Sequence, residues 1–391
     1  MTIAFRTRRR VANEPRGSGS VVDPWRHVDW ILMASTIALA VIGAFNVFAT
    51  TQQRLINQGF NPYFYVTRQV TFLIIAAVVL TIVMAVGHDW LRSKSVFLYI
   101  GTVLSLALLF IAGQVTGGAR LSFDLGIIAV QPAEIAKSVV IVFLASYLAD
   151  AATKKIEWEE FVIVLLLTGL PMLLVLLQPD LGSASVLAAG AAGILLVAGV
   201  RRRHVSMIGA LSIATLGATV VSGVVRSYQL NRLTAFVRQN DTASADLQNV
   251  VLQVRFAKRA IASGGLFGKG YLNGPLTNGA YIPVQFTDFP FTAIGEQFGL
   301  VGCLIVIGLF TVVLWRMWSI ARYAQSRLGR FIGAGIFTTM MWQVFQNIGM
   351  SLGLTPVSGL PLPLVSYGGS HLIGWAIMLG LVQSVHMRRT A

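Results

Sequence analysis

Ten long apolar stretches, separated by short polar or basic segments, organise the chain from Asp29 onward. They run over 29–50, 68–88, 95–113, 130–149, 161–178, 181–199, 205–225, 291–314, 330–352 and 366–386. A helix needs about 20 apolar residues to cross the hydrocarbon core of a bilayer. The pattern therefore predicts an all-α polytopic membrane protein, a bundle of ten transmembrane helices. The segment "QPDLG" separates the fifth and sixth stretches as a tight turn, with Asp180 placed to cap the sixth helix. Pro132 suits the first turn of the fourth. Residues 1–27 are basic, then rich in Gly, Ser and Pro, and read as a disordered cytoplasmic tail. The apolar run after Val28 is too long for the core of a signal peptide. The expected organisation is thus a tail over 1–27 and a single ten-helix membrane domain over 28–391. That domain includes an extracytoplasmic loop, 226–290, between the seventh and eighth helices.

Composition agrees with the pattern. Of the 391 residues 55% are hydrophobic and 12% charged, and the mean hydropathy is +0.72, outside the range of soluble domains. The formal charge of +15 could suggest nucleic acid, but its placement argues otherwise. With the N-terminus inside, 19 of the 30 Lys and Arg residues fall in cytoplasmic segments, as the positive-inside rule expects. Topology accounts for the charge, so no nucleic-acid partner is expected, and both termini are cytoplasmic. Membrane lipids are the surroundings. The lone cysteine, Cys303, excludes an internal disulfide and a thiolate metal cluster, and the five histidines are scattered.

The loop of about 65 residues far exceeds ordinary connections. "QLNRLTAFV" and "VVLQVRFAKRAIA" have apolar spacings near 3.6, predicting short amphipathic helices that carry Arg232, Arg255 and Lys258. "ASGGLFGKGYLNGP" follows, with six Gly or Pro in fourteen residues and Lys269 at its centre. Such a turn can cradle phosphate on its backbone N–H groups, or it can be a plain hairpin at the membrane surface.

Only fifteen residues are acidic, and four of them are candidates for a site: Glu134, Asp180, Asp288 and Glu296. Glu134 and Lys137 are three apart on the fourth stretch and share a helix face. Asp180 sits in the turn above. Asp288 and Glu296 lie in "VQFTDFPFTAIGEQFG", at the mouth of the eighth stretch and two turns inside it. Ionisable groups in membrane spans are costly and mark functional sites or buried pairs. Asp288 is open to two readings, a helix cap or a base tuned by desolvation among aromatic rings.

Five motifs in register carry a family resemblance: "LGIIAVQPAEIAK" (125–137), "PDLGSASVL" (179–187), "IASGGLFGKG" (261–270), "FTDFPFTAIGEQFGLVG" (286–302) and "GLPLPLVSYGGS" (359–370). Together they resemble the SEDS family, the RodA/FtsW/SpoVE proteins of shape, elongation, division and sporulation, over nearly all of 29–386. The resemblance implies a peptidoglycan glycosyltransferase of the bacterial plasma membrane that polymerises lipid II. It also implies a transpeptidase partner, a class B penicillin-binding protein. By the same resemblance Asp288 is the catalytic residue and works at the outer face. Lys137, Arg232, Lys269, Arg255 and Lys258 are candidates for the substrate pyrophosphate, and Glu134, Glu296 and Asp180 are supporting groups. No metal-ligand cluster is present, although a divalent cation, Mg or Mn, could bridge Asp288 and the pyrophosphate. The chain departs from the family pattern at Leu121, Ser122, Phe256, Ala257, Gly274 to Leu276, Phe286, Gln297 and His371. The alternative functions are a lipid II flippase and a non-catalytic scaffold that activates a penicillin-binding protein. A flippase calls for polar sites reachable from both faces and often for inverted repeats, whereas here the polar motifs cluster on one face.

Overall fold

The structure is a computed structural model. It describes residues 24–389 except 117–118, 125, 127–128, 152–155, 202, 205, 208–231, 233 and 238–244. The expected tail therefore lies outside the described residues, apart from a 3-10 turn at Pro24–His27. The helices are α1 (Trp30–Asn57), α2 (Phe64–Val86), α3 (His88–Ala112), α4 (Pro132–Ala151), α5 (Trp158–Leu177) and α6 (Leu181–Val197). They continue with α7 (Ala245–Gly264), α8 (Pro275–Asn278), α9 (Pro290–Arg322), α10 (Arg327–Leu352) and α11 (Gly369–Met387).

Ten transmembrane helices were expected, and this is corrected. Among the described residues six helices are long and apolar enough to cross a membrane: α1 to α5 and α9. Helix α6 has 17 residues. Helices α10 and α11 occupy the last two apolar stretches but carry Gln343, Asn347, His371, Gln383 and Ser384, all buried. Those polar groups lower the apolar character of both helices and are turned inward, toward other helices. Their composition, not their length, keeps α10 and α11 out of the count, whereas α6 is about one turn short of a span. The seventh stretch, 205–225, lies outside the described residues apart from 206–207.

Helix ends follow local chemistry. Asp29 caps α1 by accepting from Leu32 N (3.0 Å), and Asp180 caps α6 by accepting from Ser183 N (2.9 Å). Gly87 (φ +87°) separates α2 from α3. The Arg388 guanidinium covers that break, donating to Met84 O (3.2 Å) and Ala85 O (3.0 Å), carbonyls left over at the end of α2. Asp29 also receives Arg316 Nε (2.8 Å) and exchanges backbone bonds with the Gln383 amide (3.0 Å each way). The start of α1, the end of α9 and the end of α11 therefore meet at one face. At the opposite face Asn46 donates to Pro290 O (3.2 Å) and Arg54 to Pro283 O (3.2 Å), so the start of α9 lies beside the end of α1.

Three short antiparallel strands join α3 to α4: β1 (Gln114–Thr116), β2 (Ala119–Asp124) and β3 (Ala129–Val130), in the order β1-β2-β3. With six residues at most, their alternation is too brief to read from sequence.

Helix α9 carries the feature that shapes the loop above it. Gly299 (φ +64°, ψ −157°) breaks its helical course. The backbone groups released there pair with the glycine-rich turn: Lys269 N donates to Glu296 O (3.0 Å) and Gly270 N to Gln297 O (3.0 Å). In return Leu300 N donates to Gly265 O (2.9 Å) and Val301 N to Leu266 O (3.1 Å). Irregular backbone at membrane depth requires such internal pairing. The approach is so close that a Cβ at Gly264 or Gly268 would overlap the carbonyls of Gly295 and Gln297. The turn is docked into a broken helix, which differs from a surface hairpin. Its Lys269 and Gly270 N–H groups are already spent on α9, so they do not form a phosphate cradle.

Candidate active site

The candidate site is built on the turn that leads into α9. Phe289 is the N-cap residue of α9, with no side-chain cap, and Pro290 takes the first helical position. Asp288 is thus not the helix cap, and the bland reading of its carboxylate is set aside. The turn closes through Thr287 N to Val284 O (3.2 Å) and Asp288 N to Val284 O (2.9 Å). Its outer surface is aromatic: Phe286 packs on Tyr65 (5.1 Å between ring centroids) and Tyr367 (5.7 Å). The departure at Phe286 therefore completes an aromatic cluster.

Asp288 is half-buried. Burial pushes its carboxyl above the ordinary carboxylate range, and the nearby Asp180 charge adds to this. Thr287 and the Arg232 guanidinium pull the other way. Gly359 (φ +72°) marks where the two charged groups converge. A Cβ built there would lie 3.3 Å from Arg232 Nη1 and 3.7 Å from Asp288 Oδ2. Arg232 also lines a small cleft with Val250, Val254, Gly353, Thr355 and Val357.

The remaining predicted residues divide by location. Asp180 is half-buried above α6, within reach of the Gln131 amide (3.5 Å), and burial raises its carboxyl too. Glu134 and Lys137 form a buried ion pair of 2.7 Å, with side chains 3% and 1% exposed. His371 Nδ1 meets the other Glu134 oxygen at 3.2 Å, so the departure at His371 makes a third member of that cluster. Lys137 is enclosed by its partners and offers no open cation in this state. Arg255 and Lys258 lie half-buried along α7, and Lys269 is exposed. Lys269 sits against Glu296, roughly 12 Å along α9 from Asp288 at 1.5 Å per residue. The structure thus brings Arg232 to Asp288, and it separates Lys269 from both.

Glu296 is a fastener for the loop. Its carboxylate accepts from Leu276 N (2.8 Å), Thr277 N (2.9 Å) and Thr277 Oγ1 (2.6 Å), at the short helix α8. Gln297 Oε1 accepts from Leu272 N (2.9 Å), which gives the departure at that position the same kind of task. Gln285 extends the fastening by donating to Thr277 Oγ1 (3.1 Å) and Thr292 Oγ1 (3.0 Å). Sequence reasoning missed Gln285, Asn347 and Ser366. Only the buried polar character of Asn347 within an apolar stretch signalled any of them. Among the described residues no group of three or more His, Cys, Asp or Glu is placed to hold a metal.

Comparison with known proteins accords with this geometry. The chain is 31% identical to the peptidoglycan glycosyltransferase MrdB of Escherichia coli, covering 93% of this chain and 94% of that protein. It is 30% identical to stage V sporulation protein E of Bacillus subtilis, over 91% and 96% of the two chains. Among solved structures it resembles a chain from a peptidoglycan synthase complex studied for the coordination of polymerization and crosslinking. There the TM-score is 0.77 and the identity 29%, over 94% of this chain and 99% of that one. It also resembles the crystal structure of the rod shape determining protein RodA of Thermus thermophilus, with a TM-score of 0.70 and 28% identity, over 94% and 100%. A model of the FtsW/RodA/SpoVE family, described as cell cycle proteins, matches residues 26–391, and this chain belongs to that family.

Proposed function

We propose that this chain polymerises lipid II at the outer edge of the plasma membrane, with Asp288 as the general base. The chain is a multi-pass membrane protein and a peptidoglycan glycosyltransferase. The observation that carries the finer reading is the convergence of Asp288 and Arg232 at Gly359, at the mouth of α9.

In the proposed step the 4-hydroxyl of one GlcNAc attacks the anomeric carbon of a MurNAc. Asp288 takes the hydroxyl proton as the new glycosidic bond forms. The bond from that carbon to the phosphate breaks, and undecaprenyl pyrophosphate leaves with the electron pair. One displacement turns an α-phosphate into a β-link, so the transfer inverts. Arg232 offsets the charge that grows on the leaving group. Arg255 and Lys258, on the helix that packs beside Arg232, extend the positive field toward the second phosphate or the peptide. Lys269 is exposed about 12 Å along α9 from Asp288 and would meet a different part of the substrate. Asp288 and Asp180 are two carboxylates in electrostatic reach of one another. Among the described residues no third His, Cys, Asp or Glu joins these two, so a divalent cation, Mg2+ or Mn2+, would be held chiefly by the pyrophosphate oxygens of the substrate, leaving Asp288 free to act as the base.

The face follows from charge and contacts together. The start of α1 and the end of α11 meet at Asp29 and Gln383, opposite the Asp288 turn. The positive-inside rule puts that shared face in the cytoplasm, with both termini. The partner is a class B penicillin-binding protein; support comes from the likeness to a chain of a peptidoglycan synthase complex.

The test uses purified protein and fluorescent lipid II, with and without a class B transpeptidase, read for glycan chains and, in liposomes, for flipping. Flipping without chain growth under every condition would replace this reading with transport. The pH dependence is a second check. A base acts ionised, so the rate rises as pH increases through the Asp288 pKa. Because burial raises that pKa in the free protein, the acid limb of kcat/KM should lie above the ordinary carboxylate range. A limb near pH 4, the ordinary carboxylate value, would contradict the assignment.

A further inference from the structure

The turn that carries Asp288 presents three successive backbone carbonyls to the interior, and each has its own donor. Tyr367 N donates to Phe286 O (3.0 Å), Ser366 Oγ to Thr287 O (2.5 Å), and Asn347 Nδ2 to Asp288 O (2.8 Å). The same Asn347 nitrogen also donates to Leu360 O (2.7 Å). Leu360 follows Gly359, the residue against which Arg232 and Asp288 converge. One amide, fully buried in α10, therefore joins the Asp288 wall of the site to the Gly359 wall. One turn earlier Gln343 Nε2 donates to Pro361 O (2.8 Å) and steadies the second wall. The Asn347 carbonyl oxygen is buried with no hydrogen-bond partner. That oxygen is the side-chain Oδ1, so every bond the side chain makes is a donated one, and both go to the walls of the site.

We propose that Asn347 is a positioning residue for glycosyl transfer: its side-chain amide sets the Asp288 turn against the Gly359–Leu360 segment, and thereby the spacing between the Asp288 carboxylate and the Arg232 guanidinium. The proposal rests on Asp288 being the base. A general base works only within hydrogen-bond reach of the proton it removes. Displacement of a reacting group by about 1 Å can cost on the order of 100-fold in rate. Asn347 touches neither substrate nor the carboxylate, and acts through the backbone of Asp288.

The test is Asn347→Leu, which keeps the volume and the helix, removes both donated bonds and removes the unpaired oxygen. With lipid II as substrate, kcat should fall by roughly 10- to 100-fold, the scale of such misplacement, while KM stays within threefold. A wild-type kcat would overturn the proposal. A loss matched by an equal loss of lipid II binding sites reports unfolding and passes the decision to a second variant. If Asn347→Leu does not fold, Ser366→Ala decides, because it deletes one oxygen from the same clamp. A several-fold loss in kcat at unchanged KM supports the proposal, and no loss refutes it. The double variant with Asp288→Asn separates this inference from the reading beneath it. If Asn347 acts through Asp288, the leucine adds no further loss to the residual Asp288→Asn rate. An undiminished penalty there would sink the positioning role and leave the base assignment standing. A wild-type rate in Asp288→Asn alone would sink the base.

Discussion

Asp288→Asn should abolish glycan-chain formation, lowering the rate by about 100- to 10,000-fold, the range general bases contribute. The substitution removes the proton acceptor and keeps the size of the side chain. It also spares what holds the turn in place. The clamp on residues 286–288 grips backbone carbonyls, and α9 is not capped by the Asp288 side chain. Folding and thermal midpoint should therefore match the parent protein, and lipid II should bind within a few-fold of normal. The measurement is polymer length and rate from lipid II with the transpeptidase partner present. Polymerisation at the parent rate would remove Asp288 from the mechanism.

Glu134→Gln should be the most destabilising single change near the site. Glu134 and Lys137 are enclosed together, and His371 shares the carboxylate. Neutralising the glutamate leaves the lysine charge buried without its counter-ion, a defect that costs about 3–5 kcal/mol. A large fall in the thermal midpoint of the detergent-solubilised protein is the expected result. The double variant Glu134→Met with Lys137→Met removes both charges, and buried pairs replaced this way often lose little stability or gain some. It should regain most of the midpoint. Recovery of stability without recovery of polymerisation would then assign the pair a part in substrate handling. An unchanged midpoint in Glu134→Gln would mean that Lys137 reaches water and is not truly enclosed.

Much of the site was legible in the sequence because its chemistry is dense. A carboxylate at the edge of an apolar stretch, an arginine in a basic loop and a Glu-Lys pair at helical spacing stand out where charge is scarce. The helices were legible too, since long apolar stretches mark them directly. The number able to cross a membrane was not. The folded helix ends decide it: α6 closes after 17 residues, and over their helical extents α10 and α11 include enough polar residues to fall short of a span. The glycine-rich turn was misjudged for a related reason. Its backbone N–H groups were open to phosphate on sequence grounds, yet the break at Gly299 exposes carbonyls that claim two of them. Phe286, Gln297 and His371 read only as departures, until their contacts with Tyr65, Leu272 and Glu134 gave each a structural task.

By itself the sequence determined the membrane surroundings, the helical class and the family, and it singled out Asp288 as the candidate base. These depend on the kinds of residues present and on their order along the chain. Only the tertiary structure decided which cation accompanies Asp288, which helices are interior and what holds the acid in place. Arg232 lies 56 positions before Asp288, and Asn347 lies 59 after it. Their meeting depends on how α9, α10 and the segment that carries Arg232 pack, which no local pattern of polar and apolar residues encodes.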